Sequence, residues 1–357
     1  MSSSKSYSRS VLVCGGAGYV GSHVVQALLK AGHVPVVLDD LSTGDIRSVP
    51  EDVEVVIASI GDRHTLTDLL ETHDIAGVIH VCASGSLDES VDNPGKYYAN
   101  NISNGLVLLK AMLKHGIGDL VFSSSCEVYG RPRRVPVSES SKLNPNSPYG
   151  RSHAMFEQIL QDAGQAYELR WVTLRYFTAA GALEGGHLGE NGPSQMGLIP
   201  LALRLALAAQ EAEDSAVWPG TLRVYGVDHP TRDGTCVHDY LHVSDVASAH
   251  VLALEHLWDG GDSLVANLGN KRGYSVFEVL DACKRVTGVE VPYEVAPRRP
   301  ADAPQLTARA SKARRVLRWR PQHSDLDTII RTAWDWHRRF GNGGDRAGSQ
   351  EARSTKR

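Results

Sequence analysis

SVLVCGGAGYVGSHVVQALLKAGHVPVVLDD, residues 10–40, reads as a short apolar run, a glycine-rich turn, an amphipathic stretch and a second apolar run ending in two acids. The valine-rich runs on either side have the length and composition of buried strands, and the segment between them places apolar side chains at helical spacing. Gly15, Gly18 and Gly21 meet three needs of a strand–turn–helix unit that holds a dinucleotide. They allow a tight turn, a close approach of backbone to pyrophosphate, and close packing of helix on strand. The phosphates then lie at the helix N-terminus, where unpaired amides point outward. Asp39 falls 18 residues beyond Gly21, at the tip of the second strand, where a carboxylate can hold adenosine ribose hydroxyls. Asp40 beside it repels a 2′-phosphate, so the pair predicts NAD rather than NADP.

Further strand-like runs follow at VEVVIA (53–58), GVIHVC (77–82) and DLVFSSS (119–125), separated by helical patterns. Alternating β and α units predict an α/β, Rossmann-like fold with a doubly wound parallel sheet. Ligands bind beyond the carboxyl ends of such strands, which places Ser123, Ser124 and Ser125 at the site. From about residue 182 the pattern changes to longer loops and isolated strands, with helices near 198–210, 244–257, 275–286 and 324–340. The expected division is a leader at 1–9, an NAD-binding domain at 10–181, a mainly substrate-binding α/β portion at 182–340 and a tail at 341–357. The two terminal segments read as disordered from their polar composition.

With 42% hydrophobic and 22% charged residues, the chain has the composition of a soluble globular protein. A net charge of -4 supplies no basic surface for nucleic acid, and no apolar run is long enough to span a bilayer. Five scattered cysteines, without a C-x-x-C pair, fit a reducing cytoplasm and argue against a metal site.

SPYGRSH (147–153) places Tyr149 and His153 four residues apart at a helix start marked by Ser147 and Pro148. An i, i+4 pair shares one helix face, so phenol and imidazole can look into the same space.

These stretches, together with FSSSCEVYG, LRYFTAAGA, DGTCVHDYLHVSDVASAHVLAL, NLGNKRGYSV and APRRPAD, resemble the extended short-chain dehydrogenase/reductase family, in its UDP-galactose (UDP-glucose) 4-epimerase branch. The resemblance runs from about Val11 to Trp336. It implies a bound NAD that takes a hydride from C4 of a UDP-hexose and returns it to the other face of a 4-keto intermediate. Tyr149 would handle the 4-hydroxyl proton, assisted by Ser125, with His153 standing where the family has lysine. Around NAD it implies Gly15, Gly18, Tyr19, Val20, Gly21, Asp39, Asp40, Ile60, Ser123, Tyr149, His153 and Tyr176. Around the nucleotide sugar it implies Ser125, Tyr149, Phe177, Thr178, Leu198 and Tyr225, with His238, Arg299, Asp302 and Leu306. It further implies a homodimer, paired through helices near 96–115 and 149–165.

Five positions depart from the family pattern: His153 and Gly85 for lysine, His238 for arginine, Thr178 for asparagine and Ser59 for aspartate. An imidazole with the ordinary pKa of ~6.5 is about one-quarter protonated at pH 7, so His153 is expected to supply part of a lysine's charge and to narrow the active pH range. Arg299 is expected to keep a bidentate phosphate partner available. Glu127 either points to solvent at the strand end or, as in related dehydratases and decarboxylases, acts as acid or base beside the sugar. Alongside the epimerase stand two alternatives: a binding protein derived from it with little turnover, and a dehydratase or decarboxylase using Glu127.

Overall fold

The structure is a computed structural model and describes residues 8–190, 197–211, 220–299 and 302–340. Residues 1–7 of the expected leader (1–9) and the tail at 341–357 lie outside the described residues. The first half runs β1 (Ser10–Cys14), α1 (Tyr19–Lys30), β2 (Val34–Asp39), β3 (Glu54–Ile57), α2 (Arg63–Thr72) and β4 (Ile75–His80). It continues through α3 (Leu87–Asp92), α4 (Pro94–Tyr98), α5 (Gly105–Lys114), β5 (Asp119–Ser125), α6 (Pro148–Tyr167), β6 (Arg170–Tyr176) and β7 (Thr178–Ala180). The second half contributes α7 (Leu198–Glu211), β8 (Leu222–Tyr225), β9 (Val237–His242), α8 (Val243–Trp258) and β10 (Leu264–Leu268). It ends with β11 (Gly273–Ser275), α9 (Val276–Thr287), β12 (Tyr293–Ala296), β13 (Gln305–Leu306), α10 (Ser311–Val316) and α11 (Leu326–Phe340).

Seven strands form one sheet in the order β10-β6-β5-β4-β1-β2-β3, and every pairing is parallel. Side chains alternate across β1: Val11 and Val13 pack into one buried cluster, Leu12 and Cys14 into the other. A strand covered on both faces must be apolar at every position, which is why this run shows no polar alternation. The chain leaves β1 toward β2 and β3, then crosses back to β4 on the other side. That reversal opens a crevice at the carboxyl ends of the strands.

The expected boundary at residue 181 does not mark off this sheet. Strand β10 extends it beside β6, and α8 packs on α1 and across β5 and β6, so two elements of the second half complete the nucleotide fold. Their apolar residues are those that cover the strands, among them Val246, Leu254 and Leu268. The remaining second-half elements form two small sheets, one around β9 and one of β8 with β12, over a separate core.

Candidate active site

Two glycines make the turn after β1 possible. Gly15 sits at φ +86°, where side-chain-bearing residues are strained, and a Cβ on Gly21 would lie 1.9 Å from the Gly15 carbonyl oxygen. Gly18 caps α1 without a side-chain hydrogen bond, which leaves first-turn amides for an anion. Asp39 ties the turn to β2, accepting from the Ala17 amide at 2.9 Å and the Leu41 amide at 2.9 Å. Its burial raises the carboxyl above its ordinary range, while those amides pull it back. Tyr19 donates to the Gly181 carbonyl at 2.7 Å and so fixes the start of α1.

Beyond this turn lies a cavity of about 880 Å³. Gly15, Gly18, Tyr19, Val20, Gly21, Asp39, Asp40, Ile60 and Tyr176 all line it, as do Ser59 and Gly85. Ser123, Tyr149 and His153, also expected at the cofactor, do not line it; Ser123 reaches it through Tyr176, whose hydroxyl is 3.0 Å away, and Tyr149 and His153 are enclosed beneath it. Several lining residues carry no sequence motif. Lys96 on α4 and Glu89 on α3 form an ion pair at 2.5 Å across the proline that begins α4, and Glu190 joins from the second half. Burial pushes Glu190 up to about 7.

At the far end of the sheet, Ser125 closes β5 and accepts from the Glu127 amide at 3.2 Å. Tyr149 follows the Ser147 cap, whose hydroxyl accepts from the Gly150 amide at 3.0 Å. Helix α6 presses close here: a Cβ on Gly150 would meet the Glu127 carbonyl at 2.5 Å. Two turns along α6, buried Glu157 pairs with Arg175 of β6 and accepts from Ser124 of β5 at 2.5 Å. That network holds the Tyr149 helix in register with the Ser125 strand. Desolvation pushes the Tyr149 phenol well above its usual range, and the nearby Tyr176 adds to the rise, while Ser125 pulls it down.

His153 does face Tyr149, with ring centroids 4.6 Å apart and planes at 77°. It is only 3% exposed, leans on Phe122, and neither ring nitrogen has a hydrogen-bond partner. Burial, with His80 adding to it, holds the imidazole down at about 3. The expected quarter of a charge is therefore absent at neutral pH, because the ring lies in the apolar layer under β5. His153 lines neither cavity, so its two unpartnered nitrogens are enclosed in this layer.

A second cavity of about 190 Å³ is lined by Glu127, Thr178, His238, Arg299, Asp302 and Leu306, among others. Phe177 is buried in the core cluster next to it, and Tyr225 supports Arg299 from below, the guanidinium lying 4.6 Å over its ring. Leu198 packs into the core of the second half instead of lining this cavity. Arg299 is not wholly free for a phosphate, since its Nε donates to Asp302 at 3.1 Å. His238 is lowered by burial, with Asp302 raising and Arg299 lowering it further, so the arginine position holds no permanent cation. Glu127 faces this cavity, not bulk solvent, and burial together with Asp302 pushes its carboxyl up to about 7.

Ser125 lines neither space but adjoins residues of both. Its register partner Tyr176 lines the first, and the residues after it, Cys126 and Glu127, line the second. A phenol and a hydroxyl, hydrogen-bonded to each other and lining neither cavity themselves, thus stand beside residues that line both. Among the described residues no cluster of His, Cys, Asp and Glu could hold a metal ion, and no helix is long and apolar enough to cross a membrane.

Comparison with known proteins agrees with this geometry. A family model described as the NAD dependent epimerase/dehydratase family matches residues 11–269. The chain is 46% identical over 328 residues to the UDP-glucose 4-epimerase of Azospirillum brasilense, covering 92% of each. It superposes with a TM-score of 0.86 and 43% identity on a UDP-glucose 4-epimerase from Brucella ovis in complex with NAD, covering 92% of this chain and 98% of that one. A UDP-glucose-4-epimerase from Stenotrophomonas maltophila, with bound NAD and formylated UDP-arabinopyranose, matches at TM-score 0.87 and 39% identity over 93% and 99%.

Proposed function

The chain belongs to the NAD dependent epimerase/dehydratase family, and we propose that it is an NAD-dependent UDP-hexose 4-epimerase of the UDP-glucose/UDP-galactose type. The observation that carries this reading is the hydrogen bond between Ser125 and Tyr149 beside both cavities: Tyr176, the register partner of Ser125, lines the first, and Cys126 and Glu127, which follow Ser125, line the second. The first cavity takes NAD, with its pyrophosphate at the glycine turn and its adenosine ribose at Asp39 and Asp40. Bound there, NAD supplies the hydride acceptor that interconverts the C4 alcohol and a 4-keto sugar.

Tyr149 accepts the 4-hydroxyl proton and later returns it, while Ser125 holds the same oxygen through its hydroxyl. The desolvated phenol is a poor base unless a cation stands near it, and neutral His153 supplies none. The oxidised nicotinamide is positively charged, so Tyr149 is expected to work as a base only when the oxidised cofactor is in place. His153 orients the phenol edge-on. Arg299 and Asp302 hold the UDP side, and Leu306 sets the width available to the sugar.

Five free thiols favour a reducing cytoplasm. Membership of the family favours a homodimer paired through α6 and its neighbours. The reading is tested by mass spectrometry of small molecules released from the purified protein, followed by a coupled assay of UDP-galactose conversion. Bound NAD and formation of UDP-glucose support it. A dehydrated or decarboxylated product would instead assign the chemistry to Glu127, and bound NAD without turnover would make the protein a binder.

A further inference from the structure

The first cavity offers an anion the start of α1, yet its walls are mostly acidic. Asp39, Asp40, Glu89 and Glu190 all line it, and Lys96 is the one lysine or arginine among its lining residues. Lys96, and then Tyr97, hold the Glu89 carboxyl below its ordinary range, so that acid stays charged. A dinucleotide brings a further dianion in its pyrophosphate. The amides at the start of α1 set only a partial charge against it.

The place of Lys96 follows from the two lips of the crevice. One lip is the glycine turn after β1, and the other is the 81–85 segment after β4, the strand beside β1. The lips touch, since a Cβ on Gly15 would lie 2.7 Å from the Cys82 amide nitrogen. The second lip is tied to the helical chain that continues from α4. The Ser84 amide donates to Asn101 Oδ1 at 2.9 Å, and Asn100 donates to the Ser84 hydroxyl at 3.3 Å. Asn100, one turn on from Lys96, lines the cavity with it, whereas Gly85 on that lip brings no side chain.

Lys96 is also held from behind. Its Nζ donates to Glu89 Oε1 at 2.5 Å, and Glu89 Oε2 accepts from the Tyr97 hydroxyl at 3.0 Å. The α3 cap fixes Glu89 in turn, its amide donating to Ser86 Oγ at 3.2 Å. An ammonium has three protons, so directing one at Glu89 leaves others for an incoming oxygen. Tyr97 keeps the carboxylate partnered while the ammonium is shared.

We propose that Lys96 is the counter-ion of the pyrophosphate in the bound dinucleotide, and that Glu89 is a positioning residue that holds the ammonium at the cavity wall. This rests on the NAD reading above. The glycine turn meets the pyrophosphate from the β1 lip, and Lys96 meets it from the β4 lip.

The test is calorimetric titration of the purified protein with NAD at about 0.02 M and about 0.5 M salt, for the unaltered chain, Lys96→Met, Lys96→Gln and Lys96→Arg. At low salt Lys96→Met and Lys96→Gln should each weaken NAD by about tenfold, the scale of one hydrogen bond to a charged group. At high salt the gap should close to within about threefold, because a half-exposed cation is screened. Lys96→Arg keeps the charge and should stay within about threefold of the unaltered protein at both. The two neutral variants are used so that poor folding of one leaves the other to decide. A lysine that merely staples α3 to α4 would give a loss that is equal at both salt concentrations, and that result would overturn the proposal. Unchanged affinity in the neutral variants at low salt would overturn it too, with the NAD reading left standing. An unaltered protein that binds no NAD would overturn the NAD reading itself.

Discussion

Replacing His153 by lysine should raise turnover. The imidazole lies 4.6 Å from the Tyr149 ring, centroid to centroid, and is held at about 3, so at neutral pH it gives the phenol no electrostatic help. A lysine ammonium about 6 Å from the phenolate, at an effective dielectric near 20, is worth roughly 3 kcal/mol, or about two pK units. The whole of that shift is available, because the histidine it replaces contributes none of it. The rising limb of the pH–rate profile should move to lower pH by up to about two units, and turnover at pH 7 should rise. Because His153 stays neutral throughout the working range, the native profile should show no narrowing from a titrating histidine.

The substitution has a cost elsewhere. The ring sits against Phe122, near buried His80, and an ammonium there without a partner costs about several kcal/mol. The variant should therefore melt earlier than the original without cofactor and recover part of the difference when NAD is added. Initial rates of UDP-galactose conversion between pH 6 and 10, beside thermal melts with and without NAD, measure both effects. A variant that folds and holds NAD but turns over more slowly at every pH would refute this reasoning. Histidine would then be a fitted part of a different proton path.

Tyr149→Phe should abolish UDP-sugar interconversion while NAD binding stays nearly intact, since only the hydroxyl is lost; released-NAD content and coupled rates decide it. Calorimetry should show NAD binding far more tightly than NADP, because Asp39 and Asp40 flank the ribose edge; comparable affinity would remove that assignment. Glu127, pushed up to about 7, is neutral below that pH and an anion above it, where its charge raises the Tyr149 phenol further. Glu127→Gln should therefore erase an inflection near pH 7 in the rate profile and leave the phenol limb in place. Stability should fall on acidification: His23, His80, His242, His250 and His337 are each held at about 4 from an unfolded value of 6.5, and His153 at about 3. Each contributes stability that is full above pH 6.5 and lost as pH falls through the folded value, on the order of 3 kcal/mol apiece. Glu127, Glu190 and Asp239 oppose this, because their raised folded values add stability as they protonate, but three groups offset only part of six. A melting temperature at pH 5 equal to that at pH 7.5 would contradict the balance.

The glycine turn and its terminal acid were legible because backbone geometry there admits few residues: a Cβ on Gly21 collides with Gly15, and any chain building this turn must show it. Strand β5 was legible to the residue from its apolar centre, Leu120, Val121 and Phe122, which is buried on both faces of the sheet, followed by the serines at its carboxyl end. Strand β10 and helix α8 were not assigned to the first sheet, because they join it from far along the chain and their apolar faces say only that something covers them. The same limit applies at the site. Residue identity placed Tyr149, Ser125 and His153 together, but charge state is a property of surroundings, not of identity. Burial by Phe122 and its neighbours removes the proton from His153, just as burial beside Asp302 gives one to Glu127 near neutrality. The Lys96–Glu89 pair on the cofactor cavity is similar, since two short helices separated at Asn93–Pro94, not one continuous helix, bring it together. A site whose one lysine-for-histidine change matters electrostatically can thus be located from sequence, whereas the sign and size of the effect come from how deeply the new side chain is packed.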